Sequence, residues 1–388
     1  MRSNRKKLSL FILFIFVFSV FTLVGCGGKE ETTQEKVLKI GVVGPESGGS
    51  AQLGQGQRKA VELAVAEINE KKLAGDWKIE AFFEDDEGNP TKSSSATNKL
   101  IQQSGANIII AAINSSATLA DMVVTERAGI PQITAGSTGS SITEQGNQWI
   151  FRTAVNDGFQ ADALVKYAKD ELGFSKIATF TASDDYGQSG AKLLKTAAEK
   201  YGLDLVVESI YNNGDKDFKP QLLTIKDSGA QAIFMWGLYT EAALISNQAR
   251  QLGIDAQLFG ASGMAAQKLI ELGGEAAQGL ILTQTFLPDA ELPKVKEFVQ
   301  KYKEKYNESP IPHGAQAYDS VYIIADAVKK ADSNKPEALR DAIRSTSGLE
   351  LVTGDPAFNE QGDDIGKRLL ITTIKGDKFE LITAVETK

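Results

Sequence analysis

Short apolar runs alternate with helix-length amphipathic segments along most of this chain, and that alternation sets the expected architecture. Residues 37–43 (VLKIGVV) predict a first strand. Along 57–69, Ala60, Val61, Ala64, Val65 and Ile68 recur at spacings of three and four, as on a helix packed against that strand. Residues 79–83 predict a second strand, 91–103 a second helix, and 108–113 a third strand whose uniformly apolar run fits burial on both faces. The pattern then repeats, with strands at 176–181, 205–210 and 232–236 and helices at 159–172, 190–201, 218–228 and 240–252. Strands separated by helices of this length run parallel, which places the chain in the α/β class.

Two successive sets of about 120 residues imply two lobes, because one sheet carrying all these strands would be unusually wide. The first lobe is expected to take residues 37–156 and 286–366, and the second 157–285 and 367–388. Residues 280–286 predict a strand returning toward the first lobe, and 291–306, 316–330 and 336–345 predict further helices. Around Gly376 and Asp377, residues 369–374 and 379–385 predict a β-hairpin. No Pro/Gly/Ser linker lies between the sets, so short hinge crossovers should join two doubly wound, three-layer lobes and permit closure over a ligand.

The front of the chain breaks this pattern. Arg2, Arg5, Lys6 and Lys7 precede an apolar run at 8–24 interrupted only by Ser9, Ser19 and Thr22, the charged and apolar regions of a secretory signal. Leu23-Val24-Gly25-Cys26 follows and resembles the lipobox of bacterial lipoproteins. Cys26 is the only cysteine, so an internal disulfide is excluded, and acylation of a new N-terminus after removal of residues 1–25 accounts for it. The competing reading is an uncleaved anchor, since about 17 apolar residues approach the spanning length; it gives no reason for a cysteine there. Residues 26–36 are polar and charged and predict a flexible tether.

Cleavage before Cys26 removes four positive charges and takes the formal net charge from -8 to -12. An acidic body without a Lys/Arg stripe argues against nucleic acid as a partner and leaves membrane attachment to the lipid. Catalytic chemistry is equally poorly supplied. The single histidine, His313, and the single cysteine cannot build a zinc site or a Cys/His dyad, and no serine sits in a G-x-S-x-G elbow. Gly54-Gln55-Gly56 lacks the third glycine of a dinucleotide fingerprint. The carboxylate pairs Asp85-Asp86 and Asp184-Asp185 are adjacent in sequence and so suit turns or caps better than a cleft-facing acid pair. No cofactor, metal or catalytic residue is expected.

Several stretches occur in a telling order: IGVVGPESGGSAQLGQGQRKAVELAVAEIN, FFEDDEGNPTKSSSATNKLI, NSSAT at 114–118, ITAGSTGSS at 133–141, DDYGQSG at 184–190 and AYDSVYIIADA at 317–327. In that order and spacing the chain resembles the branched-chain amino-acid binding protein family, of the type I periplasmic-binding fold, over essentially all residues after the tether. The resemblance implies a receptor that captures a small solute, with branched-chain or other aliphatic amino acids leading, and delivers it to the permease and ATPase subunits of an ABC importer. A lipid-anchored sensory subunit of the same fold is the reading from another class.

Ser115 and Ser116 follow the 108–113 strand and would open the next helix, where hydroxyls and unpaired N–H groups make an anion site. The resemblance implies that this segment and Gly136-Ser137-Thr138 hold the ligand's carboxylate and part of its ammonium, and that Tyr186 is laid over the ligand by the opposite lobe. Taken singly, Ser115 reads as an N-cap, 136–141 as a loop and Tyr186 as a surface aromatic; the joint match marks them. The chain departs from the family at Gly260-Ala261-Ser262-Gly263, where Ser262 stands in place of the acid that meets the ammonium. Either another acid serves, with Glu46, Asp184 and Glu241 as candidates, or the ligand is an amide, urea or aromatic acid without that group. The second-lobe tyrosine of some relatives is also shifted, to Leu238-Tyr239.

Overall fold

The computed structural model describes residues 35–386, of which Lys36 onward forms one compact unit. Residues 1–34, with the signal and Cys26, lie outside the described residues. No helix among the described residues is long and apolar enough to cross a membrane.

Two sheets organise the unit. The first contains β1 (Lys36–Gly44), β2 (Trp77–Asp85), β3 (Ile108–Ile110), β4 (Gln132–Thr134) and β5 (Ile150–Arg152), all parallel, in the order β2-β1-β3-β4-β5. Its connections are α1 (Ala51–Glu70), α2 (Pro90–Lys99), α3 (Ser115–Ala128) and the short α4 (Ser141–Glu144). The chain then passes to the second sheet through α5 (Asp157–Asp170), β6 (Lys176–Ala182), α6 (Asp185–Tyr201), β7 (Asp204–Tyr211) and α7 (Lys219–Ser228). It continues through β8 (Ala232–Trp236), α8 (Tyr239–Gln251), β9 (Gln257–Gly260), α9 (Gln267–Gly273) and β10 (Ile281–Gln284). Helices α10 (Pro293–Tyr306), α11 (Pro312–Ala331) and α12 (Pro336–Arg344) return to the first sheet. The hairpin β11 (Arg368–Lys375) and β12 (Lys378–Glu386) closes the second sheet, in the order β12-β11-β10-β9-β8-β6-β7.

Apolar faces explain the layering. Leu38, Ile40, Ile108 and Ile133 of the first sheet pack against Val61, Ile68, Val321 and Ile324 of α1 and α11, all buried. On the second sheet, Phe180, Ile233 and Leu258 meet α8 on one face, while Ile177, Phe234 and Phe259 meet α5 and α6 on the other. At roughly 25 cal/mol per Å2 of buried apolar area, such two-sided covering is what holds a parallel sheet.

Several element boundaries differ from expectation. Helix α1 begins at Ala51, not 57, because Gly54 packs against the backbone of Pro45: a Cβ there would lie 2.1 Å from the Pro45 carbonyl oxygen. Helix α6 begins at Asp185, not 190, since the Asp184 carboxylate caps it by accepting the Gly187 N–H at 2.9 Å. Helix α11 begins at Pro312, not 316. The second helix ends at Lys99 and continues as one π-helical turn, Leu100–Ser104. Strand β10 pairs with β9 and β11, so it belongs to the second sheet, and the chain returns to the first lobe only after it. Strands β4, β5 and β9, of three or four residues, were too short to register as periodic runs.

Candidate functional site

The carboxyl ends of the parallel strands face each other across the two lobes, where open α/β sheets bind ligands. A small cavity of about 20 Å3 lies there. The first lobe contributes Leu53, Ile113, Asn114, Ser115, Gly136, Thr138 and His313 to its wall; the second contributes Tyr186, Leu238 and Gly263. Leu53 and Ile113 also join the apolar cluster built on the second sheet, so the lobes touch around the cavity.

Helix starts dominate this wall. Leu53 lies in the first turn of α1, Ser115 opens α3, Tyr186 is the second residue of α6, Leu238 precedes α8 and His313 is the second residue of α11. Each helix turns the positive end of its dipole toward that terminus, although the first N–H groups of α1 are taken by Gly48, Ser50 and Tyr239 and that of Gly187 in α6 by Asp184; five such ends gathered at one cavity favour an anionic group.

The loop after β4 is held hard against the site. A Cβ at Gly136 would lie 2.6 Å from Ile113 Cδ1 and 3.0 Å from its Cα, so only glycine lets the loop approach. The Ser137 hydroxyl faces inward, 2.6 Å from Thr118 Oγ1 and 3.0 Å from the Ile113 carbonyl oxygen. The Ser115 hydroxyl oxygen accepts the Gly139 N–H at 3.3 Å, tying the start of α3 to the same loop. From the other lobe the Tyr186 hydroxyl oxygen accepts the Gly263 N–H at 3.3 Å. Burial pushes that hydroxyl's pKa well above its ordinary value, so it keeps its proton to donate.

The structure thus brings Ser115, Gly136, Thr138 and Tyr186 to one cavity, and places the other predicted residues outside its lining. Ser116 is half-buried in the first turn of α3, and the Ser137 hydroxyl is engaged with Thr118 and the Ile113 carbonyl. Glu46 pairs with Arg58 at 2.6 Å, and the Tyr239 hydroxyl takes the Gln52 N–H at 3.3 Å. Ser262 has its backbone N–H on Gln160 Oε1 at 3.0 Å, and its buried hydroxyl has no partner among the described residues. Two further acids weighed for the ammonium are engaged in local structure: Asp184 caps α6, and Glu241 accepts the Gly214 N–H at 3.0 Å.

Sequence reasoning missed two groups. Asp157 is fully buried; its N–H donates to the Thr138 carbonyl oxygen at 2.9 Å, and its Oδ2, close to Thr138, Trp236 and Ser189, has no well-formed hydrogen bond. Burial raises this carboxyl to about 7, against the pull of Thr138 and Arg152. The helix expected from the sequence starts at 159 and does not reach Asp157, and nothing local signals its burial. His313 was weighed only as a metal or dyad residue; Pro312 at the first helical position was the available sign that a helix starts there. Among the described residues no group of three or more His, Cys, Asp or Glu side chains could hold a metal ion. A larger groove of about 620 Å3 on the first lobe, near Leu292 and Val352, is a weaker candidate because its Lys367 is satisfied by Asp364 at 3.1 Å and Thr353 at 2.6 Å.

Two doubly wound lobes with a helix-start cavity between them define a solute-binding protein of the type I periplasmic-binding fold. The chain belongs to the periplasmic binding protein family, whose model matches residues 37–378. It is 30% identical over 328 residues to the leucine-, isoleucine-, valine-, threonine- and alanine-binding protein of Pseudomonas aeruginosa, covering 84% of this chain and 87% of the relative. A leucine-binding protein of Thermotoga maritima superposes with a TM-score of 0.85 at 30% identity, over 90% of this chain and 99% of that one. A branched-chain amino-acid transporter substrate-binding protein of Streptococcus pneumoniae, solved with isoleucine, gives 0.83 at 30% identity, over 90% and 99%.

Proposed function

We propose that this chain is the extracytoplasmic receptor of an ABC importer, anchored by lipid on Cys26, that captures one small amino acid and presents the closed form to the permease. The observation that carries the reading is the convergence of five helix starts, Ser115 at one of them, and of the Thr138 loop on a cavity shared by both lobes. The ligand's carboxylate sits at the α3 start and the 136–138 loop, and Tyr186 covers it. Asp157, buried behind the cavity wall and bonded to Thr138, is the acid that offers the negative charge Ser262 does not, since a buried ammonium without a counter-charge is strongly disfavoured. A cavity of about 20 Å3 holds about one water, so a ligand of amino-acid size enters only when the lobes part. Closure is then the capture step, and no bond is made or broken.

A second reading follows from Asp157 itself. A carboxyl raised to about 7 is half protonated at neutral pH, which suits a carboxylate ligand without an ammonium, such as an aromatic acid. Thermal unfolding of the full chain in detergent with leucine, isoleucine, valine, alanine, small amides and benzoates separates the two. A ligand at 100 times its Kd stabilises by about 2.7 kcal/mol. Stabilisation by an aliphatic amino acid, weakened at least about tenfold in affinity by Ser115→Ala, supports the reading; no response to amino acids and a clear one to benzoates or amides overturns it.

A further inference from the structure

The only histidine of the chain lies in the wall of the ligand cavity. His313 is 3% exposed, and its buried Nδ1 has no hydrogen-bond partner among the described residues. The imidazole is held in place: its Cδ2 edge lies against Gly136, where a Cβ would come within 3.2 Å, and its backbone belongs to the first turn of α11. Burial keeps the ring neutral, pushing its pKa down to about 4. The apolar side chains of the wall are Leu53, Ile113 and Leu238, and no Lys, Arg, Asp or Glu lines the cavity.

A histidine placed here by packing alone would leave a buried polar nitrogen unpaired, an arrangement native structures avoid unless something completes it. The groups that grip an anion, Ser115, Thr138 and the α3 start, are other members of the same wall, so in this reading a different group of the ligand completes His313. A charged group there would lose its hydration against an apolar wall with no counter-ion, so the group is uncharged.

We propose that His313 is the specificity-determining residue of the cavity and selects ligands whose chain ends in an uncharged hydrogen-bonding group, a hydroxyl or amide, over hydrocarbon chains of the same shape. This rests on the cavity being the ligand site and deepens that reading by naming the ligand's side chain. A site built to hydrogen-bond a ligand group rejects the isostere lacking it far more strongly than an apolar pocket rejects an added hydroxyl.

Isosteric pairs that exchange a methyl for a hydroxyl test the proposal: valine with threonine, and 3-methylbenzoate with 3-hydroxybenzoate, titrated calorimetrically into the full chain in detergent. The wild type is expected to bind the hydroxyl member of the responding pair at least about tenfold more tightly, a difference of about 1.4 kcal/mol. His313→Phe should abolish or invert that ratio, and His313→Asn, which keeps a hydrogen-bonding group near Nδ1, should retain part of it. If His313→Phe does not fold, the wild-type and His313→Asn ratios decide. Equal or tighter binding of the methyl member by the wild type overturns the proposal, as does an unchanged ratio in His313→Phe. Response by the benzoate pair alone sinks the amino-acid reading while its ratio still judges His313; silence of both pairs counts against both.

Discussion

Gln52 on α1 and Lys268 on α9 are joined across the cleft: the Gln52 Oε1 accepts the Lys268 backbone N–H at 2.9 Å. The same residue's own N–H reaches the Tyr239 hydroxyl at 3.3 Å, and the Ser140 N–H reaches Ser189 Oγ at 3.3 Å. All three bonds run from an element of the first lobe to one of the second, so they form only when the lobes meet. They act as a rim latch around the cavity, and Tyr239, expected to touch ligand, is one of its parts.

A latch of this kind sets how long a ligand stays. A single hydrogen bond of this sort contributes about 0.5–1.5 kcal/mol net. Gln52→Ala removes one bond, since its backbone N–H stays, and should speed ligand release by about 2- to 12-fold with little change in association. Stopped-flow fluorescence with a bound ligand reads this directly. An unchanged release rate would show that the closed form is held by the apolar contacts of Leu53 and Ile113 alone.

Arg152, at the end of β5, offers a test of how the ligand loop is kept in place. Fully buried, it donates from Nε to Asp363 Oδ1, from NH1 to the Gly139 carbonyl oxygen and from NH2 to Thr143 Oγ1, each at 2.7 Å. Removing one partner of a buried pair strands the other. Arg152→Met should lower stability by about 3–5 kcal/mol and also weaken ligand binding, because Gly139, which Arg152 holds, is in turn bonded to Ser115 at the start of α3. Denaturant melts and titration calorimetry check both; a loss of stability with affinity intact would separate the loop from the site.

How far the sequence could be read is clear from these residues. The α/β alternation and the two lobes were legible because buried parallel strands and amphipathic helices leave periodic patterns. That Ser115, Gly136, Thr138 and Tyr186 share one cavity wall could be anticipated because they lie in short motifs at strand ends. Asp157, His313 and the Gln52 latch could not be, because their roles come from long-range packing: Asp157 is buried by Thr138, Ser189 and Trp236, and His313 by Gly136. Glu46, weighed as a substitute for the acid missing at Ser262, is paired with Arg58, twelve residues on, a partner no local pattern announces.

Membrane attachment is tested at Cys26. With the only thiol of the chain replaced, Cys26→Ser leaves nothing to acylate, and a single apolar segment cleaved as an ordinary signal would no longer hold the protein. Fractionation of expressing cells should find the variant in the soluble extracytoplasmic fraction or medium and the parent chain in the membrane. Retention of the variant would mean that residues 8–24 themselves span the bilayer.

The last prediction concerns pH. Ser93 Oγ lies 3.0 Å from Asp86 Oδ2 and 2.8 Å from Asp121 Oδ2, and Thr97 Oγ1 donates to Asp121 Oδ1 at 3.0 Å. The serine has one hydrogen for two carboxylates, so the arrangement is complete only when one acid carries a proton. Burial supplies the bias, raising Asp121 to about 8 from an ordinary 3.8 with the Asp86 charge adding to it. The folded state therefore holds this proton more tightly than the unfolded chain. Below about pH 4 both states are protonated and the contribution is fully present; as pH rises toward 8 the unfolded chain releases the proton first, and stability falls by up to about 1.4 kcal/mol per pH unit. Asp121→Asn cannot titrate. The melting temperature of the parent chain, measured from pH 5 to 8, should decline relative to the variant's, and parallel curves would mean that the Asp86–Ser93–Asp121 cluster binds no extra proton in the folded state.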